Sequence, residues 1–232
     1  ITQFNLEIHA KVKHQDAVDL KSKENRKRFT AMMLVCTMFA ICWIAYIQWE
    51  TTIASFTQSI NISMSQYSVL WTINGIMILV AQPLIRPIIV ILRGNLKHQM
   101  FVGILIFMSS FLVTSFAHHF AIFVVGMVIL TFGEMFVWPA VPTIANKLAP
   151  EGKQGQYQGF VNSASTVGKA FGPFIGGILV DAMNMSMMFV GMIVLLCFGL
   201  IFLSIFDRGL PKDKNETPIP RRRKRRKSKA SK

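Results

Sequence analysis

Glu134 and Lys169 are charged residues set deep in apolar sequence, within TFGEMFVWP and VGKAFGP. An ionised group near the centre of a bilayer costs about 2.5–3.5 kcal/mol on insertion scales, so such residues need either a role or a partner. At a rise of about 1.5 Å per residue, Glu134 lies about 14 Å and Lys169 about 18 Å from the inner edges of their helices. Glu134 is therefore the first candidate for a proton- or cation-sensitive group, with Lys169 a candidate partner on the next, antiparallel helix. The alternative is a carboxylate neutralised by an interior base or capped by water. Trp43, Tyr46 and Gln48 close an earlier apolar run and suit the outer part of an aromatic, polar-flecked pathway. Interfacial anchoring accounts for the Trp equally well. No Gly-rich phosphate loop, HExxH, GxSxG or paired-carboxylate pattern appears, so neither enzyme chemistry, a cofactor nor a metal is expected. Cys36, Cys42 and Cys197 lie in apolar stretches without metal-ligand spacing and read as small core residues.

The elements that must hold these side chains are membrane helices. Hydrophobic residues make up 52% of the 232, including 19 Phe, and mean hydropathy is +0.45; this is too apolar for a soluble domain of that size. A membrane-length window gives six spans, at about 29–49, 67–92, 99–117, 120–143, 157–181 and 185–206. The fold class expected is thus an all-α membrane protein with six transmembrane helices at 29–206, in contact with the lipid bilayer. An even number of crossings puts both termini on one side.

Charge gives that side. The links 50–66, 117–120 and 181–185 contain no Lys or Arg, whereas the others carry Arg93, Lys97, Lys147 and Lys153. Under the positive-inside rule both termini are cytoplasmic. Trp49, Tyr67 and Trp71 then fall at the outer interface, and Phe29 and Trp138 nearer the inner one. Residues 1–28, polar and mixed in charge, read as a cytoplasmic linker, and 207–232 as a basic cytoplasmic tail. The tail's RRRKRRK at 221–227 contributes to the net charge of +14. After a last span, anionic lipid headgroups are the expected partner of 221–232 and nucleic acid is not. Arg86 near the inner end of span two is placed to snorkel.

The fifth span carries Gly159, Gly168, Gly172, Pro173, Gly176 and Gly177. Gly168, Gly172 and Gly176 recur every fourth residue, giving one helix face a flat strip on which a neighbouring backbone can approach closely. Span two is the expected neighbour. Pro173 lacks an amide donor and presses on the Lys169 carbonyl, so a kink is expected there. Pro83 and Pro87 in span two, and Pro139 and Pro142 in span four, either bend helices around a cavity or mark helix ends.

The spacing Gly159-x8-Gly168-x3-Gly172-Pro173-x2-Gly176-Gly177 resembles the antiporter glycine motif of the major facilitator superfamily, notably its drug:proton antiporters. Gly133-Glu134, Pro139, Pro142 and NKLAPEGKQGQYQG at 146–159 look like the stretch joining helices ten and eleven in bacterial multidrug efflux members. The resemblance implies twelve helices in two six-helix halves, with this chain as helices seven to twelve and residues 1–28 as the central linker. It further implies alternating access in a bacterial plasma membrane, with protons and a small lipophilic substrate as partners and an amino-terminal six-helix half missing from this sequence. Arg93 and Lys97 stand where the family has its cytoplasmic gating loop, although ILRGNLKHQM lacks the family's Asp and FVVGMVILTFGEM lacks the Arg of the helix-four motif. Two other readings are a six-helix protein that transports as a homodimer and a non-transporting membrane interaction or lipid-binding protein.

Overall fold

The computed structural model describes the backbone of residues 2–91 and 95–210, with side chains from Ser22 onward except those of 82, 84, 86 and 88–91. Arg93 and the 221–227 cluster lie outside these residues, as does the Arg86 side chain. Six long helices make the bundle: α1 (Thr2–Tyr46), α3 (Met64–Ile91), α4 (Leu96–Thr114), α5 (Phe120–Leu148), α6 (Gln154–Ala182) and α7 (Met185–Ile205). A 3-10 turn at Ile47–Trp49 and the short α2 (Thr52–Ser59) occupy much of the stretch expected to be a plain link after the first span.

Two helices differ from their expected extent. α1 enters unbroken from the polar stretch before residue 29, so linker and first span share one helix. α6 is long enough to span at about 43 Å, but the five helices that are both long and apolar enough to cross a membrane do not include it. Its composition explains this: Asn162, Ser163, Ser165, Thr166 and Lys169 join the glycines along its first half. α6 turns its small residues inward, burying Gly168, Gly172 and Gly176, while Phe171 and Phe174 stay exposed. Such an inversion suits a helix whose outside is lipid or another apolar surface, because bulk gives no advantage where a backbone must approach.

Glycine also governs the tightest hairpin. On α4 and α5, a Cβ added to Gly103 would meet the Val137 side chain at 2.7 Å, and one on Gly133 would meet Phe107 at 2.8 Å. Two hydrogen bonds tie the same pair: Gln99 Nε2 donates to the Phe136 carbonyl at 2.9 Å, and Ser110 Oγ to the Gly126 carbonyl at 2.7 Å. Around this hairpin α1 packs on α6 and α7, α4 on α7, and α3 on α5. α3 is the peripheral helix, with Ile76, Leu79 and Val80 exposed.

All five prolines at issue lie inside helices, Pro83 and Pro87 in α3, Pro139 and Pro142 in α5, and Pro173 in α6. They do not mark helix ends. His118 and His119 are exposed in the turn before α5.

Candidate functional site

The first half of the site is an aromatic cluster that α1 supplies by periodicity. Phe39, Trp43 and Tyr46 fall at i, i+4 and i+7 and therefore share a helix face. Trp138 of α5 meets all three, with ring centroids 5.6 Å from Phe39, 5.0 Å from Trp43 and 5.4 Å from Tyr46. Phe107 of α4 stacks on Trp138 at 5.6 Å, and Trp71 of α3 lies edge-on to Tyr46 at 6.1 Å. Trp71 and Trp138, read from the sequence as lying near the interfaces, are thus also part of a cluster joining four helices. Tilted and edge-on pairs at these separations each add about 0.5–1.5 kcal/mol beyond their burial.

A polar group lies on the same face of α5. Thr131, Glu134 and Trp138 fall at i, i+3 and i+7, and Glu134 is only 8% exposed. Asn74 of α3, 6% exposed, donates its Nδ2 to Glu134 Oε2 and to Thr131 Oγ1, both at 3.0 Å. Thr131 in turn donates to the Met127 carbonyl at 2.8 Å. Sequence reasoning missed Asn74. Its signal was an amide in an apolar span, three residues after Trp71 and hence on the same face.

Lys169 has a different partner from the one expected. Its Nζ stands 4.0 Å from the centroid of the Trp43 ring, close enough for a cation–π contact. The two ion pairs recorded among the described residues are Arg28–Glu24 and Lys97–Asp207, so Glu134 and Lys169 do not pair. Trp43 contacts Lys169 and also Tyr46 and Trp138. Trp43 Nε1 is itself buried without a hydrogen-bond partner, leaving one unused donor in the cluster.

Gln48 does not line an outer cavity. It is fully buried, with Nε2 donating to the carbonyls of Gly172 at 2.7 Å and Ile44 at 2.9 Å, while Oε1 accepts from Thr52 Oγ1 at 2.6 Å. The glycine strip therefore faces α1, not span two as expected. A Cβ added at Gly168 would meet Trp43 Cβ at 2.5 Å and the Ala40 carbonyl at 2.6 Å; one at Gly172 would strike the Ile47 side chain, and one at Gly176 the Gln48 amide. Gly159 and Gly177 take no part in this approach, since an added Cβ at either would meet nothing within 4 Å.

At the end of the bundle where α7 finishes, Lys97 of α4 reaches Asp207 at 2.6 Å and the Ser204 carbonyl at 2.8 Å. Lys97 thus pairs with an acid that follows α7.

The sequence profile of the Major Facilitator Superfamily matches residues 29–231, which includes the apolar part of α1, the other helices of the bundle and the site just described. The chain belongs to the major facilitator superfamily. It is 48% identical over 195 residues, 84% of its length, to YttB of Bacillus subtilis, described as an uncharacterized MFS-type transporter. A second relative, the uncharacterized MFS-type transporter MJ1560 of Methanocaldococcus jannaschii, is 34% identical over 86 residues, which is 36% of this chain and 22% of that one. The chain spans about half the length of the Bacillus relative (48%). Within a superfamily of transporters, the six-helix bundle is consistent with one of the two halves built of inverted repeats.

Proposed function

We propose that this chain is the carboxy-terminal half, helices seven to twelve, of a secondary transporter that exports small lipophilic substrates in exchange for protons. The missing amino-terminal half completes the substrate site, and residues 1–28 form the cytoplasmic linker between halves. Both termini lie in the cytoplasm of a bacterial cell, and 221–232 rest on anionic headgroups of the plasma membrane.

The observation that carries this reading is Glu134, buried among α3, α4 and α5 and held by Asn74 beside an aromatic cluster. A carboxylate within a membrane-spanning helix is costly even with one amide donor, and an acid so placed is by default a candidate for a charge-dependent step. Aromatic faces offer a lipophilic or cationic substrate stacking surface. In alternating access the two halves rock about a midplane site. Glu134 takes up a proton when the cavity opens outward and releases it inward, and the hydrogen bond from Asn74 Nδ2, stronger to the ionised carboxylate, couples that proton to the packing of α3 on α5. Lys169 and Trp43 stand on the wall that faces the other half. The Gly168–Gly172–Gly176 strip and Pro173 let α6 adjust against α1, and Lys97 of α4, through Asp207 and the Ser204 carbonyl, secures the cytoplasmic end.

The test is proton movement driven by substrate. Full-length protein in sealed vesicles is given a series of lipophilic cations while internal pH is followed; substrate-dependent proton flux supports the reading, and transport with no proton movement across the series contradicts it.

A further inference from the structure

A cleft of about 650 Å³ opens between the start of the apolar part of α1 and the end of α7. Its rim carries Lys23, Arg26 and Lys27, and its floor includes Leu34, Ile205 and Phe206. The acids nearby are already neutralised. Glu24 accepts from Arg28 at 2.6 and 3.1 Å, and Asp207 pairs with Lys97 at 2.6 Å. Three exposed cations therefore stand over an apolar wall, at the level where α1 passes from polar to apolar sequence. That order, positive charge above hydrocarbon, complements an anionic phospholipid, whose phosphate is followed immediately by acyl chain.

We infer that this cleft is a binding site for one anionic phospholipid of the leaflet at that end, its phosphate held by Lys23, Arg26 and Lys27 and an acyl chain lying along Leu34, Ile205 and Phe206. The residues that build the site come from α1 and from the end of α7 and the turn after it. A lipid seated there would tie the linker helix to the last helix of the bundle, making the angle at which α1 leaves the membrane dependent on lipid composition.

Full-length protein in neutral detergent, titrated with phosphatidylglycerol or with phosphatidylcholine of the same chains, tests this by native mass spectrometry. One phosphatidylglycerol is expected to be retained per chain, about tenfold or more in preference to phosphatidylcholine, and each cation removed by Lys23→Gln, Arg26→Gln or Lys27→Gln should weaken it about fivefold. Gly209→Phe keeps every charge but adds bulk at a lining position where a Cβ meets open space, and should also expel the lipid. Removing 221–232 should leave the affinity unchanged. Equal retention of the two lipids, binding that survives the three Gln substitutions or Gly209→Phe, loss caused by removing 221–232, or displacement by an equal concentration of glycerol phosphate would each overturn the assignment.

Discussion

Gln48 donates its side-chain amide to the Gly172 carbonyl at 2.7 Å, and the absence of a side chain at Gly176 is what leaves room for that amide. One hydrogen bond and one missing methyl thus fix how α1 and α6 cross. Interhelical hydrogen bonds in membrane proteins contribute about 0.6–2 kcal/mol each. Gln48→Ala should therefore destabilise the bundle by about that amount. Gly176→Ala should be more damaging alone, and the double variant should recover part of the loss. Thermal unfolding in detergent measures this cycle; strictly additive effects would contradict the link.

The remaining glycines of the motif divide by location. Gly172→Leu should lower folded yield or lock one conformation, because Ile44 and Ile47 occupy the space its side chain needs. Gly159→Ala and Gly177→Ala should be neutral or stabilising by about 0.5–1 kcal/mol, as a helical Gly with open space around it only loses backbone entropy. Yield by fluorescence-detected chromatography separates the two groups. Equal sensitivity at Gly159 and Gly172 would argue against a packing surface confined to α1.

Asn74 should behave as part of the Glu134 site. Asn74→Leu leaves Glu134 without its amide donor and should reduce transport strongly, while membrane abundance falls only modestly. Asn74→Asp sets a second acid against the carboxylate and should be at least as harmful. Transport per molecule of inserted protein is the measurement, and near-normal transport by Asn74→Leu would detach Asn74 from function.

Lys97→Ala and Asp207→Ala should have similar small effects, about 0–1 kcal/mol, because the pair is partly exposed and screened. Since Lys97 also bonds the Ser204 carbonyl, the exchange Lys97→Asp with Asp207→Lys should restore only part of the stability. Full additivity of the two alanine substitutions would show that the pair is not coupled.

What the sequence made legible was length and apolarity. The runs at 29–49, 99–117, 120–143 and 185–206 read as spans because each is long and poorly charged. α6 was harder, since its glycines and hydroxyls lower its hydropathy and only their fourfold spacing shows that they face a helix. That spacing gives a face and not a neighbour, which is why the strip was expected against span two and lies on α1. Glu134 stood out because a charge in apolar sequence is rare; Asn74 did not, being neutral and carried on another helix. Trp71 and Trp138 were placed at the interfaces because they lie near span ends; that position gives depth along a helix and not the neighbour, so their contacts with Tyr46 could not be read from it. Lys97 and Asp207 are 110 residues apart, beyond any local pattern.

The account stands on Glu134 as the group through which protons act, and the most direct measurement is efflux by the full-length Glu134→Gln protein in energised vesicles. Gln keeps the shape and the hydrogen-bond acceptor but cannot exchange a proton. The account predicts normal abundance in the membrane together with efflux that no longer responds to an imposed pH gradient. Efflux that follows the gradient as in the parent protein would contradict it.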